Sequence, residues 1–445
     1  MTDPRKILAV SPMSMAQMVV IAITVALNAL DGFDVLAISF ASPGIRHEWG
    51  IDYKTLGFVL SMELLGMGLG SIFLGGVADT VGRRRTLLGC LIVMALGMAM
   101  ASQATDWHSL STWRVTTGLG IGGMLATINA VAAEFANARR RALCVSLMAI
   151  GYPVGAVVGG SIAALLLRQG DWRAVFWFGA AATASLIPFV FFLVPESIEW
   201  LCQRQPANAL ARVNRSLVRL GRAVVDALPA VPHETSKRSV ADIFSPKYVR
   251  ITLLMSFAYF LHVISFYFII KWVPVIVVDL GFSASLAAGV LVWLNVGGAT
   301  GGAVLGLLSL RFGLKGLTMA VLAMSTVMLA VFGRSQTDLA RLEIVCAIAG
   351  FFTNAGIIGL YGILAQVFPA NLRATGTGFA VGTGRAGSWL APIIAGFLFN
   401  AGYGSAFVAV VMGVGSLVAA IALWFLPFKP EKLESDGRIA SAVIG

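Results

Sequence analysis

The chain has 445 residues, of which 58% are hydrophobic and 12% charged, against roughly 25% charged residues in a soluble domain. That leaves too little polar surface to solvate a water-facing body of this size, so a soluble globule, a disordered chain and a collagen-like fibre are excluded. The formal net charge of +11 points to nucleic acid only if the basic residues share one solvated face, which the order of the apolar runs decides.

A bilayer core about 30 Å thick takes about 20 apolar residues, and the chain holds twelve such runs. In the first half they cover residues 17–40, 55–78, 86–103, 108–135, 143–167 and 175–194; in the second, 251–278, 285–308, 317–331, 342–368, 375–399 and 405–425. The first run follows Arg5 and Lys6 as a signal peptide would, but it is too long for one and carries two aspartates, so it stays as a span. The expected fold is an all-α membrane protein with 12 transmembrane helices in two six-helix bundles. Residues 1–198 make the first bundle, 199–247 a cytoplasmic central loop with an amphipathic helix, 248–428 the second bundle and 429–445 a cytoplasmic tail. With the N-terminus in the cytoplasm, 23 of the 32 Lys and Arg residues fall in cytoplasmic segments, six outside and three within spans. The surplus charge is then an orientation signal, both termini are cytoplasmic and no nucleic-acid partner is expected.

A charged side chain at the bilayer centre costs about 2.5–3.5 kcal/mol on insertion scales, so each one inside a span is a functional candidate. The first span holds Asp31-Gly32-Phe33-Asp34, two carboxylates three residues apart on one helix face. The glycine between them is expected to loosen the backbone and admit water or ligand. Burial and mutual repulsion both oppose charging the pair, as a proton carrier requires; the other role open to it is to hold Arg114. Glu63 in the second span and Arg114 in the fourth share the depth of Asp31, roughly 9–14 Å from the outer side, so the three can meet. Gly-rich strings at 66–70 and 118–123 lie inside spans, where small residues let helices pack closely, and no G-x-x-x-x-G-K-[ST] loop occurs.

In the central loop Leu210, Val213, Leu217, Leu220 and Val224 recur at helical spacing with Arg212, Arg215, Arg219 and Arg222 on other faces, which describes a basic helix at the anionic inner leaflet. A partner-protein site is the alternative. In the seventh span His262 takes the place of Asp31 at an offset of 231 residues, and in the eighth Asn295 takes that of Glu63 at 232. His262 serves either packing or a substrate or proton role. In the eleventh span Arg385 offers paired donors to an anionic substrate at any pH; tying its helix to a backbone carbonyl is the alternative. Cys90, Cys144 and Cys346 lie in apolar stretches and Cys202 in the basic loop, a scatter that suits neither disulfides nor a metal, so no cofactor is expected.

The halves align at 231 or 232 residues: Pro43 with Pro274, Gly75 with Gly306, Gly82 with Gly313, Glu134 with Gln366 and Arg141 with Arg373. Both halves start on the same side, so the repeat is parallel and its axis lies along the membrane normal. Such a pair of bundles encloses one cavity and exposes it to either side by rocking.

The connection after the second span reads Gly75-Gly76-Val77-Ala78-Asp79-Thr80-Val81-Gly82-Arg83-Arg84-Arg85, which closely resembles the G-x-L-a-D-r-x-G-r-r signature of the major facilitator superfamily. The resemblance implies that Asp79, Arg83 and Arg84 join a cytoplasmic charge cluster that holds the outward-facing state. Glu134 with Arg140 and Arg141 looks like the family's loop after the fourth span, and the second copy is eroded, with Leu310 for the aspartate and Lys315 keeping one charge. Pro195-Glu196-Ser197 recurs in sugar porters. Within the superfamily the D-G-F-D string, Arg114 and Gly384-Arg385-Ala386-Gly387 resemble the aromatic acid:proton symporters, which import benzoate-like compounds in bacteria.

That resemblance implies Asp31 and Asp34 as proton and substrate gate, with Glu63 beside them, and Arg114 and Arg385 at a cavity where His262 and Asn295 also stand. Phe33, Tyr152, Tyr259, Phe266, Tyr267 and Trp389 are candidates to stack a ring. The expected protein is a monomeric importer in a bacterial inner membrane, with a small aromatic acid, protons and the lipid bilayer as its partners. Proton-driven efflux of a drug or organic ion is the rival on the same fold; a membrane enzyme is remoter, since no catalytic constellation is present.

Overall fold

The computed structural model describes residues 3–230, 240–334, 338–369 and 372–427. The expected tail at 429–445 and the loop residues Lys237 and Arg238 lie outside them. Among the described residues every regular element is helical. A short α1 (Pro4–Val10) precedes six long helices, α2 (Met15–Trp49), α3 (Tyr53–Val81), α4 (Arg83–Ser102), α5 (Trp107–Phe135), α6 (Arg141–Leu166) and α7 (Arg173–Leu193). After α8 (Ile198–Arg204) and α9 (Ala209–Arg219) come α10 (Val249–Asp279), α11 (Ala284–Leu308), α12 (Leu314–Arg334), α13 (Leu339–Val367), α14 (Arg373–Asn400) and α15 (Ser405–Trp424).

Among the described residues eleven of these helices are long and apolar enough to cross a membrane. The remaining long one, α14, has 28 residues but is diluted by glycines, threonines and Arg385. Bulky apolar side chains such as Ile72, Phe192, Leu307 and Trp424 stand largely exposed, an arrangement that only a lipid solvent tolerates over so much surface. Helix starts carry polar caps: Ser14 and Gln17 form a capping box on α2, Asp52 accepts from Thr55 N at 2.8 Å, and Asp106 accepts from His108 N and Ser109 N at 2.8 and 2.9 Å. The first span runs past the expected end at residue 40, because Pro43 sits inside the helix, which ends instead at Gly50 with φ +59°.

In the first six long helices α2 packs on α6, α3 on α5, and α4 on α5 and α7; in the second six α10 packs on α14 and α15, α11 on α13, and α12 on α13 and α15. The two sets meet along α2–α10, α3–α14 and α6–α11. Close approach rests on the glycine strings. A Cβ on Gly118 would stand 2.2 Å from the Glu63 carbonyl oxygen, so only glycine lets α3 and α5 come near enough to join their charged groups.

The amphipathic helix expected in the central loop is α9, which ends at Arg219; of the expected apolar stripe Val213, Leu217 and the following Leu220 turn inward, whereas Val224 lies beyond the helix and is exposed. Val213, Leu217 and Leu220 are buried together with Ile198, Trp200 and Leu201, while Arg222 donates to Gln17 Oε1 at 2.8 Å and to the Pro12 carbonyl. The stripe therefore seals the end of the first six helices instead of resting on lipid. Cys202 lies in the same buried layer, where burial pushes its thiol up to about 11, and all four cysteines are free and buried.

Candidate functional site

Asp31 and Asp34 lie on α2 at 1% and 0% exposure, and none of their four carboxylate oxygens has a hydrogen-bond partner among the described residues. The Thr183 hydroxyl near Asp34 donates instead to Gly179 O at 2.8 Å. Gly32 between them does not loosen the helix. A Cβ there would stand 2.0 Å from the Tyr152 carbonyl oxygen, so the glycine seats α2 tightly against α6. Two uncompensated carboxylates in a dry interior are costly as anions and acceptable as acids.

Beside them Glu63 of α3 holds two cations. Its Oε1 lies 2.5 Å from Arg114 Nη2 and its Oε2 3.3 Å from Lys271 Nζ, with all three side chains fully buried. Arg114 also donates to the Asp34 carbonyl at 3.0 Å and to Met98 Sδ at 2.9 Å, and its guanidinium stands 5.4 Å from the centre of the Phe176 ring. Lys271 donates to the Val35 carbonyl at 2.5 Å. Of the three expected to meet, Glu63 and Arg114 do, whereas Asp31 has no hydrogen-bond partner among the described residues, and α2 runs nine residues beyond the helix end from which its depth was counted.

A cavity of about 750 Å³ lies between the two halves, within the usual range for a small-molecule site. It reaches from Met67 and Ile270 toward Gly302, Tyr361 and Val381, on the side that holds the start of α2. The opposite side is sealed. There Arg46 Nη1 meets Asp279 Oδ1 at 2.7 Å, Tyr53 donates to Asp279 Oδ2 at 2.9 Å, and Ser285 donates to the Ala164 carbonyl at 2.6 Å. Phe40, Trp272 and Val273 are fully buried near that seal.

Arg385 lines the cavity and has no hydrogen-bond or ion-pair partner among the described residues. Four tyrosines surround it: Tyr152, Tyr259, Tyr267 and Tyr361. The Tyr259 and Tyr361 hydroxyls meet at 2.9 Å. Asn295 lines the same wall with its amide donating to Leu291 O at 2.8 Å, as Asn354 does with an amide on Gly298 O at 2.6 Å. A planar cation in a cavity lined by tyrosines and a few amides can take a carboxylate with a flat apolar body.

Of the residues singled out from sequence, Arg385, Tyr267, Asn295, Tyr152, Tyr259 and Phe266 line this cavity. Arg114 does not; it faces Glu63 within the first half. His262 does not line it either: its Nε2 donates to the Thr353 carbonyl at 2.9 Å and its Nδ1 accepts from Ser416 at 2.8 Å, which engages both ring nitrogens in packing. Phe33 packs on Phe178. Sequence reading missed Asn354 and Tyr361, which also line the cavity from α13; their spacing of seven residues suits one helix face but does not tell a cavity from packing.

Asp79, Arg83 and Glu134 do gather, while the Arg84 guanidinium turns away to the Phe191 carbonyl and ring. Arg83 spans Asp79 Oδ1 at 2.5 Å and Glu134 Oε1 at 3.1 Å, and Glu134 Oε2 accepts from the Ser197 hydroxyl at 2.5 Å. Arg84 N donates to Glu196 Oε1 at 3.2 Å, so Pro195-Glu196-Ser197 supplies the receiving groups. Arg141 stays exposed and joins no partner among the described residues. In the second copy Lys315 caps α15 instead, donating to the Trp424 and Leu426 carbonyls at 3.2 and 2.9 Å.

The family model of the Major Facilitator Superfamily matches residues 24–342 and 255–442. The chain is 26% identical over 413 residues to the gallate transporter of Pseudomonas putida, covering 93% of this chain and 92% of that protein. It is 29% identical over 406 residues to the 3-(3-hydroxy-phenyl)propionate transporter of Escherichia coli, covering 91% and 93%. Among solved structures it superposes on the xylose transporter of E. coli in its inward open conformation with a TM-score of 0.69, at 16% identity, over 94% of this chain and 98% of that one; this last likeness concerns the fold alone.

Proposed function

The chain belongs to the major facilitator superfamily, and on that premise we propose that it imports an aromatic carboxylate together with protons across a bacterial inner membrane. It is a multi-pass membrane transporter and not an enzyme. The observation that carries the substrate is Arg385, an unpartnered guanidinium in a tyrosine-walled cavity of about 750 Å³. The matched relatives are named for gallate and hydroxyphenylpropionate, both aromatic acids.

In this reading the carboxylate docks on Arg385 through two parallel hydrogen bonds and the ring lies among Tyr152, Tyr259, Tyr267 and Tyr361. One of Asp31 and Asp34 takes up a proton when the cavity faces outward, and the pair carries it into the closed site, where neither carboxylate has a hydrogen-bond partner among the described residues. The loaded halves then rock to the state seen here, sealed at Arg46–Asp279 and reaching toward the side of the N-terminus. The excess of basic residues on that side makes it the cytoplasm. The Asp79–Arg83–Glu134 cluster is made within the first half, and in this reading it latches the outward-facing state by meeting the second half once this side closes. The proposed transport unit is a monomer, with its cavity between its own two halves.

Everted and right-side-out vesicles carrying the protein test the reading with radiolabelled hydroxybenzoate. Right-side-out vesicles with an acidic exterior are expected to accumulate the acid, and a protonophore to abolish accumulation. Extrusion of cationic drugs without any acid uptake would replace import by efflux.

A further inference from the structure

Lys271 was left without a role by the substrate and proton chemistry, yet it is the one cation among the described residues that crosses between the halves at the depth of the buried carboxylates. It belongs to α10, in the second set of helices, and is fully buried. Both of its contacts lie in the first set: the Val35 carbonyl on α2 and Glu63 Oε2 on α3 at 3.3 Å. Arg114, from within the first set, grips the neighbouring Asp34 carbonyl and the other oxygen of Glu63. Glu63 therefore has a permanent partner that travels with it and a second partner that does not. A buried ammonium needs a counter-charge and acceptors, and here only the other half provides them.

We propose that Lys271 is a positioning residue that holds the outer side shut, and that its contacts with Glu63 and Val35 must part before the cavity can open outward. The neighbouring seal agrees with this. Pro274, one turn on, lies in the same buried layer as Trp272 and Val273, and α10 ends at Asp279 in the Arg46–Tyr53 contact. Opening that rim swings α10 away from α2 and α3, which takes Lys271 off both acceptors and into water. Glu63 keeps Arg114, so the first half is left with a compensated carboxylate and the change falls on one ion pair. The closed state is favoured by that pair, while water entering the opened vestibule solvates the ammonium, so the device switches instead of locking permanently.

Closure is read by an engineered disulfide at the outer rim. Ala164→Cys and Ser285→Cys place thiols on the two helices whose contact is marked by the Ser285 hydroxyl on the Ala164 backbone carbonyl at 2.6 Å, in a background with the four native cysteines changed to serine. Copper–phenanthroline cross-linking of this full-length protein in proteoliposomes is expected to be fast. Adding Lys271→Gln is expected to slow it about tenfold through a shift toward the outward-open population, Glu63→Gln to slow it likewise, and Lys271→Arg to restore most of the rate. Equal rates in parent, Lys271→Gln and Glu63→Gln proteins would overturn the proposal. So would failure of both neutral variants to accumulate while Lys271→Arg accumulates normally, since that assigns the pair to folding. The cross-link needs no substrate, so aromatic acid import and outer closure by Lys271 can fail independently.

Discussion

Arg114 and Arg385 share a side chain and have opposite surroundings. Arg114 is neutralised by Glu63 at 2.5 Å in a dry core, whereas Arg385 faces the cavity without a partner among the described residues. Only the second has donors to offer an incoming anion. Arg385→Lys keeps the charge and loses the planar fork, so KM for hydroxybenzoate is expected to rise roughly 10- to 100-fold, the worth of about 1.5–3 kcal/mol for a charged hydrogen bond; Arg385→Ala should remove uptake at any practical concentration. Asp31→Asn fixes the residue in its neutral form, so proton-driven accumulation should vanish while exchange of labelled for unlabelled acid persists. Loss of both in Asp31→Asn would mean that the side chain is needed for folding or binding instead. Initial-rate uptake and counterflow in proteoliposomes separate these outcomes. Asp31, Glu63, Arg114 and Arg385 were legible in the sequence because a charge in an apolar run stands out against its background. Tyr361 and Asn354 were not, since an aromatic or amide in a span looks the same whether it packs or lines a cavity. The joining of Lys271 to Glu63, 208 residues apart, exists only once the two halves are assembled.

Helix spacing decides whether these residues meet at all. The glycine strings read as packing surfaces in the sequence are that, and Gly118 bears directly on the site, with the Glu63 carbonyl 2.2 Å from where its Cβ would be. Gly118→Ala must push α5 off α3, and overpacking of this kind costs roughly 1–3 kcal/mol. Gly289→Ala on α11 meets nothing within 4 Å and should be neutral or gain up to about 1 kcal/mol from helix propensity. Thermal unfolding in detergent is expected to show a lowered midpoint for the first and none for the second; equal midpoints would mean that α3 and α5 do not approach this closely. Element boundaries were the most legible part of the fold, because a twenty-residue apolar run has few other uses. The exceptions have physical causes. Pro43 is accommodated within α2, since the Ser42 hydroxyl donates at 2.8 Å to the Ser39 carbonyl that the proline leaves without an N–H donor. The stripe on α9 covers protein and not lipid because Ile198, Trp200 and Leu201 of α8 present it with an apolar surface first.

The interior charges of the whole molecule form a closed account. Among the described residues, the Asp, Glu, Lys and Arg side chains inside the spans and away from their ends are three carboxylates, Asp31, Asp34 and Glu63, and three cations, Arg114, Lys271 and Arg385. With all six ionised the interior is neutral. A monocarboxylate arriving on Arg385 adds one negative charge, and one proton on Asp31 or Asp34 cancels it; a second proton would leave the loaded interior positive and resist the rocking step. Transport is therefore expected to move one proton per acid anion and no net charge. In proteoliposomes at a fixed pH gradient, a potassium diffusion potential of about 100 mV, negative inside, should leave the steady-state accumulation of hydroxybenzoate unchanged, while collapse of the pH gradient should abolish it. Were two protons to accompany each anion, the same potential would contribute about 2.3 kcal/mol and raise accumulation about fiftyfold. A rise of that size would show that the interior charge balance does not set the stoichiometry, and that both Asp31 and Asp34 carry protons inward on every cycle.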